Sequence, residues 1–411
     1  MRIAYLAPEI PALSATFVYH EIMALGRMGF DVLPVSVHPP AAPALEEEAR
    51  ALAGRTILLY PQGLWSFLMA ALHYQLRHPC RYLATVAMLL GDMRTLGCCS
   101  RAAAGLFYRF LAGTRLSCIL EAHGCRHLHV HFAHVPADIA MYAARLAGIS
   151  FSFTSHANDL FERGWLLKEK VARSSLAMTI SEYNRRFLVA QGADESKIAI
   201  VRCGVAVERF SGLPERSAPR ALPVIGSLGR LVAKKGFDTL IAAAGILQRS
   251  GYRFRLEIAG DGPLREALAA QAAGEGDAGT MTFLGPMAND TIPSWMNGLD
   301  LFVLACRVDP KGDMDGIPVV LIEAMAAGVP VVSTTVSALP ELIDDGLSGL
   351  LVASANPPAL AKAMARLLND SQLRARCIAG GRQKIEGEFS EEAHAQLLSH
   401  LFKSILVRAQ A

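Results

Sequence analysis

Short apolar runs rich in β-branched residues recur along the whole chain, and stretches with helical spacing separate them. One series lies at 2–7, 32–37, 127–132, 151–155, 177–181 and 198–202; a second lies at 223–228, 254–259, 281–284, 300–304, 330–333 and 349–352. Between them, Val18, Ile22, Leu25 and Met28 form an apolar stripe that Gly29 stops, and Phe237, Leu240, Ile241, Ala244 and Leu247 form another that Gly251 stops. Strands alternating with helices predict parallel sheets covered on both faces. Pro214, Pro219 and Pro223 sit among serine, glycine and charged residues and mark a linker near 204–223. The fold class is therefore α/β, with two doubly wound domains at 1–205 and 206–389. A last helix starts near Ser390 with Glu391 and Glu392 in its first turn, and 390–411 is expected to pack back on the first domain.

One segment breaks the alternation. Residues 62–120 read as wholly helical, apolar and basic, with Arg77, Arg81, Arg94, Arg101, Arg109 and Arg115 against a lone Asp92. Two readings stand side by side: an insertion packed on the first domain with its arginines on the wet face, or a surface that lies on an anionic membrane.

Composition narrows the picture. The 411 residues are 52% apolar, ample for two cores, and carry a net charge of only +3, far from the excess of a nucleic-acid binder. The N-terminal apolar run stops at Pro8 without a cleavage pattern. The longest uncharged stretch, about 61–76, falls short of the roughly 20 apolar residues that span a bilayer. Eight cysteines are scattered without the paired spacing of a zinc site, and buried reduced thiols in a cytoplasmic protein are expected.

Chemistry concentrates in three loops that follow predicted strands. Asp313-Met-Asp-Gly-Ile-Pro-Val-Val-Leu-Ile-Glu323 passes from a strand into a helix. The carboxyl ends of parallel strands are where α/β folds bind ligands, and the N–H groups of Gly316, Ile317, Val319 and Val320 can hold phosphate oxygens. Pro318 has no N–H to offer. Asp315 and Glu323 flank that position, and a carboxylate can accept two hydroxyl hydrogen bonds from a sugar or ribose diol. Glu323 lies among Ile322, Ala324, Met325 and Ala326, so its charge needs a polar partner. In Gly229–Gly236, Arg230 and Lys235 can converge on one diphosphate. In the third loop, His156 and Asp159 project beyond the strand at 151–155. His127, His129, His131 and His134 could suggest a metal, but alternate positions on one strand face, with no acidic ligand nearby, argue against it.

Together these stretches resemble the family-4 glycosyltransferases of the GT-B fold, nearest to the bacterial branch that builds exopolysaccharides such as colanic acid. The resemblance runs through Leu13–Glu21, His129–Ala133, Thr154–Asp159, Ile180–Asn184, Arg202–Val205, Gly229–Gly236, Ala259–Pro263, Asp315–Glu323 and Leu339–Gly346. It implies two Rossmann-like domains facing a central cleft and a nucleoside diphosphate sugar carried on the second. Arg230 and Lys235 would hold the diphosphate, Glu323 the ribose, Asp315 the donor sugar, with Gly262 beside the donor and His156 approaching from the first domain. It further implies a glycan or lipid-linked sugar acceptor, placed by Ser14, Thr16 and Asp159. Transfer would retain the anomeric configuration, with the leaving diphosphate taking the acceptor's proton and with no cofactor or metal. The protein would be cytoplasmic, or peripheral on the inner face of the membrane.

Three positions depart from that pattern. The first acid of the pair is Asp315 where glutamate is usual; 8–16 lacks the glycines many relatives have; and Ser337-Ala338 replaces a glycine often found before Pro340-Glu341. Among rivals, Asp313-Met-Asp315 spells the metal-binding D-x-D of the other glycosyltransferase fold, but here it precedes the paired-acid helix of a second domain. A nicotinamide dehydrogenase would need a third glycine after Gly260-Asp-Gly262. A sugar-nucleotide epimerase would share the donor residues, and a non-catalytic scaffold would be expected to lack Arg230 and Lys235.

Overall fold

The computed structural model describes residues 2–12, 15–40, 47–60, 63–212, 222–275 and 279–408, Leu64 by its backbone alone. The chain divides into two compact units, 1–201 with 394–411 and 202–393.

The first unit holds a seven-stranded sheet: β1 (Arg2–Ala7), β2 (Asp31–Ser36), β3 (Ile57–Leu58), β4 (His127–His131), β5 (Ser150–Ser155), β6 (Leu176–Thr179) and β7 (Ile198–Ile200). Their order is β3-β2-β1-β4-β5-β6-β7, every neighbouring pair parallel. The second holds β8 (Val224–Leu228), β9 (Arg255–Ala259), β10 (Met281–Gly285), β11 (Leu301–Val303), β12 (Val331–Thr334) and β13 (Leu350–Val352), in the order β10-β9-β8-β11-β12-β13, again all parallel. Strand order reverses between β1 and β4 in one sheet and between β8 and β11 in the other. Such a reversal splays the connecting helices and opens a crevice at the carboxyl ends.

The helices follow the apolar stripes. Val18, Ile22 and Leu25 point from the helix Thr16–Arg27 into the core, and Gly29 turns the chain out of it with φ +88°. The helix Phe237–Arg249 buries Phe237, Leu240, Ile241, Ala244 and Leu247. The segment without strands forms three helices, Leu64–Arg77, Pro79–Thr95 and Arg101–Ala122. From the terminal helix Glu391–Arg408, Leu398, Phe402, Ile405 and Leu406 pack with Ile3, Tyr5, Val18 and Ile22 in the core of the first unit.

The units meet a few residues earlier than the prolines suggest. Val205 N–H donates to the Phe389 carbonyl at 2.9 Å and the Glu391 N–H donates to the Val205 carbonyl at 2.9 Å. Val205 and Phe210 are buried in the core of the second unit, so 202–212 folds with that unit. Pro214 and Pro219 fall outside the described residues. The thiols also correct the expectation in part: Cys125, Cys203, Cys306 and Cys377 are buried, but Cys80, Cys98 and Cys99 are exposed; none is in a disulfide.

Candidate active site

In the second unit, the loops that leave β8, β9 and β11 build one cluster. Two glycines permit the close approach. Gly236 has φ +66°, and a Cβ there would stand 1.8 Å from the Ala305 carbonyl oxygen; Gly260 has φ +117°, and its Cβ would stand 2.0 Å from the Gly229 carbonyl oxygen. The Leu231 N–H then donates to the Asp261 carbonyl at 2.9 Å, holding the Arg230 loop against the Gly262 loop. Thr334 and Ser354 hydroxyls both donate to the Cys306 carbonyl, at 2.6 and 3.3 Å, and fix the chain beyond β11.

The charged groups of this cluster are interlocked. Lys235 Nζ lies 2.8 Å from Asp315 Oδ2; Lys234 Nζ lies 2.8 Å from Asp313 Oδ2 and 3.6 Å from Asp315 Oδ1. The buried Cys306 thiol donates to Asp315 at 3.7 Å. Burial works against charge on Asp315, but Lys235 and Lys234 outweigh it and hold the carboxyl below its ordinary value. Burial likewise opposes the Lys235 charge, and Asp315 outweighs it and raises the ammonium. Arg307 Nη1 pairs with Asp238 at 2.7 Å. The Arg230 side chain is exposed.

Asp315-Gly316-Ile317-Pro318 leads into the helix Val319–Ala326, with Pro318 as its N-cap. The Leu321 N–H already donates to the Pro318 carbonyl at 3.0 Å, which leaves Val319 and Val320 as the donors of the first turn. Glu323 sits inside this helix, buried, and Arg209 Nη1 reaches it only at 3.8 Å. Burial therefore dominates, and the Glu323 carboxyl is pushed up to about 7. Ser337, the residue in place of a glycine, has φ +53° and a buried hydroxyl without a hydrogen-bond partner. A left-handed backbone favours glycine because it lacks a Cβ, so this substitution stores local strain.

In the first unit, His156 belongs to a buried chain of histidines. Its Nε2 is 3.2 Å from His131 Nδ1, and His131 Nε2 is 3.1 Å from Glu21 Oε1. The Tyr5 hydroxyl donates to Glu21 Oε1 at 2.7 Å, and His394 Nε2 lies 2.8 Å from Glu21 Oε2. Burial, then the neighbouring His131, hold His156 well below the ordinary histidine value, so its ring is neutral. Phe17 and Phe132 flank the ring at 4.7 and 4.8 Å between centroids.

Three expectations about this unit change. Asp159 does not project toward a ligand: it is fully buried, and its carboxylate accepts the Ala133 N–H at 2.7 Å and the His156 N–H at 3.0 Å. It is a clamp for the His156 loop, because a buried carboxylate is tolerated when backbone donors satisfy it. An acidic group does lie near the histidines of β4, since Glu21, His129 and His131 bring ligand-type atoms within 4.8 Å of one another. These groups are satisfied by hydrogen bonds: His129 Nδ1 by Ser152 at 2.8 Å and its Nε2 by Thr154 at 3.2 Å, Glu21 by Tyr5, His131 and His394. Of the arginines in 62–120, Arg109 is not on the wet face but pairs with Asp138 at 2.7 Å, and Arg115 is half-buried. Thr16 opens its helix half-buried; Ser14 lies outside the described residues.

The family described as glycosyl transferases group 1 matches residues 214–384. A putative colanic acid biosynthesis glycosyltransferase, WcaL of Salmonella typhimurium, is 28% identical over 430 residues, covering 98% of this chain and 100% of its own. The alpha-D-kanosaminyltransferase of Streptomyces kanamyceticus is 30% identical over 318 residues, covering 75% of this chain and 76% of its own. This chain belongs to the group 1 glycosyl transferases. The solved structure of Anabaena Alr3699/HepE in complex with UDP superposes on this glycosyltransferase with a TM-score of 0.73 over 98% of this chain and 100% of that one, at 16% identity. That likeness speaks to the fold, which is GT-B: two parallel-sheet α/β units. The matched family segment contains Arg230, Lys235, Gly262 and Asp315, in the loops beyond the strands of the second unit, and Glu323 in the helix that follows Asp315.

Proposed function

We propose that this glycosyltransferase takes a sugar from a nucleoside diphosphate sugar and transfers it, with retention of anomeric configuration, to a glycan or lipid-linked acceptor in the synthesis of an exopolysaccharide. The observation that carries the reading is the gathering of Lys235, Asp315 and a helix N-terminus, with the buried Glu323, beyond β8 and β11. Fixed cations and aligned N–H groups stabilise charge as it develops on a departing diphosphate, and no enzymic nucleophile is then required. HepE has been solved with UDP and with UDP-glucose, and WcaL is named for colanic acid synthesis; both support the reading. Within the first unit, the buried and neutral His156 is the residue assigned to the reaction by the likeness to the family.

No divalent metal enters this proposal. Asp313 and Asp315 have the D-x-D spacing, but each already has a lysine at 2.8 Å. Thermal melting of the full chain with UDP-, GDP- and ADP-sugars, in EDTA, tests both points. The matching donor at about 100 times its dissociation constant should add roughly 2.7 kcal/mol of stability. A donor effect that disappears in EDTA and returns with Mn²⁺ would overturn the metal-free mechanism; stabilisation unchanged in Lys235→Ala and Glu323→Ala would overturn the site.

The Glu323 carboxyl gives the site a pH dependence. A ribose diol donates to the ionised form, and that form predominates only as pH rises through about 7. Donor affinity should therefore rise roughly ten-fold between pH 6 and pH 8, and Glu323→Gln should flatten the profile. The stability contribution has the opposite sense. Because the folded value lies above the unfolded one near 4.3, it is full below that value and is lost as pH climbs through about 7.

A further inference from the structure

Half of the large apolar side chains that are exposed among the described residues lie in one segment, the three helices between Leu64 and Ala122. The helix Leu64–Arg77 is apolar on both sides. Phe67, Ala70, Ala71 and Tyr74 face the core, and the opposite side carries Trp65, Leu68, Met69, Leu72 and Leu76. Trp65 and Leu76 are 73% and 74% exposed. With about 100° per residue, these five occupy one outward stripe. The helix Pro79–Thr95, which packs beside it, repeats the device: Leu83 and Leu90 are exposed, seven residues apart and opposite the buried Thr85, Leu89 and Asp92.

The exposed charge on the helices Leu64–Arg77 and Pro79–Thr95 is positive, and Glu121, an exposed acid at the end of the third helix, lies 3.9 Å from His78 between them. Arg77, Arg94 and Arg101 are exposed, and among the described residues no acid pairs with them. Asp92, the only acid in 62–120, is buried and held by Arg173 at 2.7 Å and by the Tyr142 hydroxyl at 2.8 Å. Arg94 falls on the same stripe as Leu83 and Leu90. No helix among the described residues is long and apolar enough to cross a membrane.

We infer that the outward face of Leu64–Arg77 and Pro79–Thr95 docks on the surface of an anionic phospholipid bilayer. A tryptophan- and leucine-rich stripe enters the boundary between headgroups and acyl chains, and the arginines meet lipid phosphates. A second copy of the chain would bring the same positive charge to the contact, which is why the bilayer is the better complement. The inference does not rest on the donor reading, because binding to lipid is measured without substrate.

The test is sedimentation of the full chain with vesicles, phosphatidylcholine alone against phosphatidylcholine containing phosphatidylglycerol, at low and high salt. Binding should require phosphatidylglycerol and weaken with salt. The triple variant Trp65→Ser/Leu72→Ser/Leu76→Ser should lose it, with circular dichroism unchanged because these side chains leave the core untouched. Arg77→Ser/Arg94→Ser should weaken binding about 25-fold, roughly five-fold per arginine, and serves alone if the triple variant does not fold. Absence of binding to phosphatidylglycerol vesicles at low salt would overturn the inference, as would binding that neither variant changes. So would a wild-type dimer that the triple variant dissociates while vesicles bind neither protein, since the face would then belong to a second copy.

Discussion

Lys235→Ala should lower turnover by about 10²–10³, the usual loss when one fixed charge-stabilising contact is removed from an active site. Two physical effects act together. In the proposed reaction the departing diphosphate would lose a cation that the left-handed turn at Gly236 and the pairing with Asp315 keep in place. Asp315, buried and held ionised mainly by that ammonium, keeps Lys234 at 3.6 Å and the weak Cys306 thiol donor at 3.7 Å. Its charge is then free to repel the phosphates. Lys234→Ala is the informative control, because its shortest contact is to Asp313 at 2.8 Å. Initial rates with saturating donor and acceptor separate the two. A loss below ten-fold for Lys235→Ala, or an equal loss for both variants, would count against Lys235 as the diphosphate contact.

The second large effect is on stability. Glu21→Ala should destabilise the first unit by about 3–5 kcal/mol, the range for removing one partner of a buried ionic group. One carboxylate there receives Tyr5, His131 and His394, the last from the terminal helix. Truncation leaves three polar groups buried without their acceptor. At roughly 2–4 °C per kcal/mol for a unit of this size, the melting transition should fall by about 6–20 °C, and Glu21→Gln should recover part of it. The pH dependence checks the cause. Burial raises the Glu21 carboxyl, but His131 and His394 outweigh it and set the folded value well below the ordinary one. Its stabilisation is then present above the unfolded value near 4.3 and is lost as pH falls toward the folded value. The gap between wild type and Glu21→Ala should narrow in acid; a gap that does not depend on pH would point to packing alone.

Sequence pattern carried the sheets well because parallel strands are buried on both faces and read as continuous apolar runs. Runs such as 224–228 and 331–334 stand out for that reason. Ile57–Leu58 did not, since two residues at the sheet edge are too few to show a period. The proximity of Lys235 and Asp315 was legible because each follows a strand within a short, ordered motif. The role of Glu21 was not. In its helix it reads as one polar position beside Val18, Ile22 and Leu25, and its partners lie 110 and 373 residues away. Asp159 was misread for a related reason: nothing in Thr154–Asp159 shows whether a loop carboxylate turns outward or back onto its own backbone N–H groups. The boundary at 201 was hidden because Val205 is tied to Phe389, a pairing across the chain that composition does not report.

The interlocked lysines and aspartates have a kinetic consequence. Lys234 and Lys235 face Asp313 and Asp315, and Arg307 faces Asp238, so most of the local positive charge is cancelled within a few ångströms and leaves little field at longer range. An approaching anionic donor would sense chiefly Arg230. Encounter would then proceed near the unsteered rate of diffusion, with little dependence on ionic strength. The strength of the lysine contacts would be expressed in how slowly the bound donor leaves.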